Sequence, residues 1–174
     1  MPKLIRNGRV VDDSAEILVL DETQAPEALT LPEGQVFVPL AVWQAHKGML
    51  SGRVGVGVWL DSHESVEDLA EDLESLSAVA LNFPKFTDGR AYSGAALLRS
   101  RYAFKGEVRA IGDVLRDQFF FMQRCGFDTL QPKAGKYSDA QLEEAVASLK
   151  DFSSPYQAAI DQPEPLFRRA QRVA

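Results

Sequence analysis

Between Lys85 and Arg90 the chain reads Lys-Phe-Thr-Asp-Gly-Arg, which sets an ammonium, a carboxylate, an unhindered backbone and a guanidinium side by side. Arg90 offers a planar fork matched to an oxyanion, Lys85 adds a point charge, and Gly89 lets another molecule approach the main chain. Lys85, Gly89 and Arg90 are therefore the anion-binding candidates, and a small oxyanion is their natural ligand. The same residues have a use without any ligand: Thr87 or Asp88 caps the helix that follows, and Arg90 pairs with a neighbouring carboxylate.

Four residues are catalytic candidates: Asp88, Tyr92, Asp113 and Asp117. A helix beginning at Asp113 would hold Asp113 and Asp117 one turn apart, a spacing that lets two carboxylates share a metal or raise one pKa. Asp113 also follows Gly112, where an N-cap belongs. Tyr92 has a hydroxyl proton to give, although an aromatic in a first helical turn commonly just packs. His63 stands beside Asp61 in a loop and suits acid-base work or simple solvation. His46 falls late in a helix and reads as structural. Cys125 precedes Gly126 at a helix C-terminus, where the dipole disfavours a thiolate, so it reads as an ordinary buried thiol.

One cysteine and two histidines leave no disulfide, no CxxC pair and too few soft ligands for a metal cluster. The Gly55 and Gly57 of Val-Gly-Val-Gly-Val-Trp-Leu lie inside a strand pattern with no third glycine, which is not a dinucleotide fingerprint. No Walker loop is present, and no motif calls for flavin, nicotinamide, haem or iron-sulfur, so no cofactor is expected.

These residues need elements to position them. Asn7-Gly8 between two apolar runs marks a tight hairpin over residues 3–12. Short strands are expected near Ile17 to Leu20, Val36 to Leu40, Val54 to Leu60, Ala78 to Phe83, Glu107 to Gly112 and Phe127 to Gln131. Helices are expected after Leu40, from Ser65 to Leu76, after Gly89, from Asp113 to Arg124, and from a capping box at Ser138 to Lys150. Strand and helix alternate through short loops, so the fold class is α/β: a mostly parallel sheet with helical crossovers, either open and three-layered or a partial barrel. The domain spans 1–151, and 152–174 reads as an extended C-terminal arm lying on its own domain or on a partner. Ligands of parallel sheets collect beyond the carboxyl ends of the strands. There Asp61 and His63, then Asn82, Lys85, Asp88 and Arg90, then Asp113, then Gln131 and Lys133 would share one rim.

The 174 residues are 45% hydrophobic, enough for a full core in one domain. No run approaches the ~18 apolar residues of a membrane span, and the first residues lack the apolar core of a signal peptide, so the cytoplasm is expected. A net charge of -6 argues against nucleic acid. Charge is uneven: Asp61, Glu64, Glu67, Asp68, Glu71, Asp72 and Glu74 form a run without Lys or Arg, while cations dominate from Lys85 to Arg124.

The run from Phe83 to Asp128, Phe-Pro-Lys-Phe-Thr-Asp-Gly-Arg-Ala-Tyr-Ser-Gly through Gln-Arg-Cys-Gly-Phe-Asp, resembles the signature of the bacterial domain-of-unknown-function family 934. The resemblance continues more weakly through Phe37 to Gly48 and Pro163 to Arg169. It implies genomic company with the sulfite or nitrite reductase haemoprotein and an oxidoreductase label in sulfite reduction, without an established reaction. Two classes of function follow as expectations. One is an accessory protein of assimilatory sulfite reduction that binds a small oxyanion, the reductase, or both; the other is an enzyme of sulfur assimilation with its site on the same rim. Whether the chain forms a homo-oligomer is left open by the sequence.

Overall fold

A computed structural model of the chain describes residues 2–21, 24–151 and 155–169. Its strands are β1 (Lys3–Arg6), β2 (Arg9–Asp12), β3 (Glu16–Ile17), β4 (Val36–Pro39), β5 (Val56–Leu60), β6 (Ala78–Phe83), β7 (Glu107–Gly112) and β8 (Thr129–Leu130). Its helices are α1 (Leu40–Leu50), α2 (Arg90–Ser100), α3 (Phe119–Cys125), α4 (Asp139–Ser148) and α5 (Leu166–Arg169). The hairpin forms as expected: Asn7 and Gly8 take φ of 50° and 70°, and Lys3 faces Asp12 across the ladder. Ser138 and Gln141 close their capping box at the start of α4.

All eight strands make one sheet, in the order β2-β1-β8-β7-β6-β5-β4-β3. From β3 to β8 every neighbour is parallel and the strands follow in chain order, while the β1–β2 hairpin adds antiparallel strands beyond β8. Crossovers of one hand in such a sheet place their helices on a single face. Accordingly Trp43 of α1, Leu98 of α2, Met122 of α3 and Leu142 of α4 share one core with Val38, Val58, Leu81 and Val108.

The sheet is curled into a half-barrel, which decides between the open and partial-barrel alternatives. Eight strands laid flat would span roughly 34 Å at about 4.8 Å per strand. Only Asp13, Ser14 and Ala15 join β2 at one edge to β3 at the other, and four residue steps reach no more than about 14 Å. The concave face is built from unequal side chains. Gly57, Ala78 and Ala80 are small enough to admit Phe37, Trp59 and Arg109; a Cβ on Gly57 would lie 2.6 Å from the Phe37 ring.

Two expected helices are different in kind. The segment from Ser65 to Leu76 forms two 3-10 turns, Val66–Leu69 and Leu73–Ser75. An α-helix there would stack Glu67 on Glu71 and Asp68 on Asp72, like charges at i,i+4. Asp72 instead turns inward, accepting from Trp43 Nε1 at 2.8 Å and pairing with Lys47. The helix expected from Asp113 begins in a 3-10 turn, Arg116–Gln118, and becomes α-helical only at Phe119, so Asp113 and Asp117 share no helical face. Strand β3 stops at Ile17, short of the expected Leu20.

Of the expected arm, residues 152–154 and 170–174 lie outside the described residues. The part between them returns to α3: Ile160 N donates to Arg124 O at 3.0 Å, and Arg124 Nη2 donates to Gln157 O at 2.6 Å. Among the described residues no helix is long and apolar enough to cross a membrane.

Candidate functional site

The carboxyl ends of β5 to β8 open on one side of the half-barrel, where a cavity of about 370 Å³ is lined by Trp59, Asn82, Ile111, Gln131, Lys133 and their neighbours. Register explains the grouping: Asn82 pairs with Ile111, and Gln131 follows Leu130, the partner of Ala110. These inward side chains form one layer at the mouth. Gly112 keeps it open. Its φ is 92°, and a Cβ there would overlap Asn82 Oδ1 and the Phe83 carbonyl.

Two amides at the mouth are oriented by their partners. Asn82 Nδ2 donates to Asp61 Oδ1 at 2.9 Å, which leaves Asn82 Oδ1 as an acceptor beside Gly112. Gln131 Oε1 accepts from Arg109 Nη1 at 2.9 Å, which leaves Gln131 Nε2 as a donor. Lys133 stands at the lip and pairs with no carboxylate among the described residues; it lowers the Asp113 pKa only through space. Trp59 is held by a 2.6 Å hydrogen bond from Nε1 to Leu18 O.

Beneath the mouth lies a buried ionic layer. Arg109, 1% exposed, donates to Asp13 Oδ2 at 2.8 Å and to Glu107 Oε1 at 2.6 Å, with its guanidinium 4.5 Å from the Phe37 ring centre. Arg6 bonds Asp13 from the other side at 3.1 Å. Two cations and two carboxylates balance, so the floor presents no net charge.

The candidates drawn from the sequence sit on the surrounding rim, largely engaged with one another. Arg90 Nε and Nη2 hold the two Asp88 oxygens at 3.0 and 2.6 Å, and Nη2 also donates to Ser62 Oγ at 2.9 Å. The hydrogen bond from Arg90 holds the Asp88 carboxyl well below the usual carboxylate range. Asp113 accepts from Lys136 at 2.7 Å and from the Phe86 amide at 3.0 Å, and is likewise lowered, chiefly by Lys136. Gln118 Nε2 secures the same loop through the Phe86 carbonyl. Lys85 and Gly89 are exposed on that loop, as is Asp117 in the 3-10 turn before α3. Tyr92 packs edge-on between Phe83 and Phe121, and burial pushes its hydroxyl up to about 12. Burial also raises the Cys125 thiol. His63 Nδ1 lies 3.4 Å from Asp61 Oδ2 on the open rim.

Asp88 and Asp113 stay ionised and paired near neutrality, and Tyr92 stays protonated, so none is tuned for proton exchange at that pH. Sequence reasoning placed Asn82, Gln131 and Lys133 on the rim but missed Asp13, Trp59 and Arg109 as parts of the site. The single signal for Arg109 was a charge in the middle of an apolar strand pattern. Arg99, another cation of the same run, is wholly structural: it donates to the carbonyls of Phe104, Gly106 and Gly126 and to Asp128.

Residues 57–167, more than half of the chain, match the sequence model of a family described as bacterial protein of unknown function, DUF934. The match takes in β5 to β8 and every rim loop between them. No curated protein matches the chain.

Proposed function

We propose that this chain, which belongs to the bacterial DUF934 family, is a binding protein that takes a small anion at the mouth of its half-barrel. Its setting would be assimilatory sulfite reduction, as an accessory of the reductase haemoprotein. One observation carries the binding role: Lys133, without a carboxylate partner among the described residues, and Gln131, with an amide donor, both line a cleft of about 370 Å³ at the mouth. The sulfite setting rests on the resemblance of the Phe83 to Asp128 run. For docking to the reductase, the exposed Glu67, Asp68, Glu71 and Glu74 supply a mainly acidic surface, with Arg101 3.9 Å from Glu67 at its border, that would steer a basic partner.

Calorimetric titration with sulfite tests the anion role. Lys133→Ala should weaken binding at least tenfold, while Arg90→Ala, whose fork already holds Asp88, should leave it within about twofold. The opposite ranking would move the anion to the Lys85–Arg90 loop.

A further inference from the structure

The mouth is larger and more apolar than a bare oxyanion requires. Sulfite has four heavy atoms and needs on the order of 60 Å³, the share of two waters, whereas the cleft, open to solvent on one side, offers about 370 Å³. The remainder faces Ile17, Val19, Trp59, Ile111 and Pro132. Water against such walls is displaced favourably by an apolar body.

The polar groups define what that body carries. Lys136 and Arg90 are engaged by Asp113 and Asp88, Lys85 stands on the rim outside the cleft, and Lys133 is the cation among the cleft's lining residues. The bond from Arg109 to Gln131 Oε1 and the bond from Asn82 Nδ2 to Asp61 set the two amides in opposite senses, so Gln131 offers its Nε2 donors and Asn82 its Oδ1 acceptor, beside Gly112, at the cleft they both line. Asn82 on β6 and Gln131, the residue after β8, flank Ile111 from either side of β7, about 10 Å apart at the backbone. A ligand touching both has its acceptor and its donor at opposite ends.

We infer that the mouth binds an organic monoanion of about one ring, its carboxylate on Lys133 and Gln131 and a hydroxyl or amine at the far end on Asn82. The flat body lies against Trp59 over Ile111. This rests on the mouth being an anion site, as proposed above, and adds an organic body to the anion.

The probe is 4-hydroxybenzoate, followed by calorimetry and by tryptophan emission, with sulfite and the uncharged 4-hydroxybenzamide alongside. Trp59 reports on the mouth because Trp43, the other indole, is buried on the far face against Asp72. The expected result is binding of 4-hydroxybenzoate that changes the emission in the parent and not in Trp59→Phe, at least tenfold tighter than the amide and than sulfite. Lys133→Ala and Gln131→Glu should each weaken it at least tenfold with circular dichroism unchanged. If sulfite binds and loses affinity in Lys133→Ala while 4-hydroxybenzoate does not bind, the larger ligand is refuted and the anion site stands. If neither binds, both fail. Binding of 4-hydroxybenzoate that ignores Lys133 and Gln131 refutes the site.

Discussion

Arg109 of β7 and Asp13, between β2 and β3, meet inside the half-barrel with Nη1 and Oδ2 2.8 Å apart, although 96 positions separate them in the chain. Both are buried, at 1% and 4% exposure. The pair ties a central strand to the arch that joins the two sheet edges, and through Gln131 it fixes a donor at the mouth. Fold closure and ligand geometry therefore depend on the same guanidinium.

Arg109→Leu should destabilise the protein by roughly 3 kcal/mol in urea unfolding, because it leaves the buried Asp13 carboxylate with the partly exposed Arg6 as its remaining cation. Asp13→Leu combined with Arg109→Leu should lose less than the sum of the two single changes, since the pair is in direct contact. Additive losses would show that the two residues act independently.

Asp13 also sets an acid limit. Burial alone would raise its pKa, but hydrogen bonds and charge from Arg109, then Arg6, outweigh burial and hold it below the ordinary 3.8. With the folded pKa depressed, its stabilisation is complete above the ordinary value and drains away as pH falls through the folded one. A pH series of melting temperatures should therefore drop below about pH 4, and Asp13→Asn should be less stable at neutrality with a flatter acid limb. A parallel downward offset at every pH would contradict this assignment.

Gly112→Ala should cost more than about 1 kcal/mol, because alanine tolerates the positive φ poorly and its methyl meets Asn82 and the Phe83 carbonyl. Ligand affinity at the mouth should fall with it. Gly135→Ala, also at positive φ but with nothing within 4 Å of its Cβ, is the control for backbone strain alone. Equal losses at both positions would mean that the Asn82 contact adds nothing.

Reversing Glu67, Glu71 and Glu74 to Lys tests the docking surface. The three are exposed, so the domain should stay folded while co-purification with the reductase at low salt declines. Unchanged association across a salt series would exclude this face and direct attention to Leu166 and Phe167 on α5.

Cys125→Ala should leave sulfite-dependent growth intact, since burial raises the thiol pKa and the thiolate is the reactive form. Loss of growth with a folded variant would assign it a chemical role.

Local signals in the sequence determined what depends on neighbours in the chain. Asn7-Gly8 dictated the hairpin, Ser138 and Gln141 the start of α4, and the apolar run Ala78 to Phe83 a strand buried on both faces. The alternation of such elements was enough for a parallel α/β sheet and for a shared rim. It was not enough for the curl, because a three-residue link between β2 and β3 constrains the sheet only once the strand order is known. Nor could it choose the partners of Arg90 and Asp113, whose choice between binding an anion and pairing internally was decided by the proximity of Asp88 and Lys136. The mouth layer of Asn82, Ile111 and Gln131, and the buried contact of Arg109 with Asp13, arise from register and curvature. Those are properties of strands packed side by side, and they bring together residues whose spacing along the chain carries no trace of their contact.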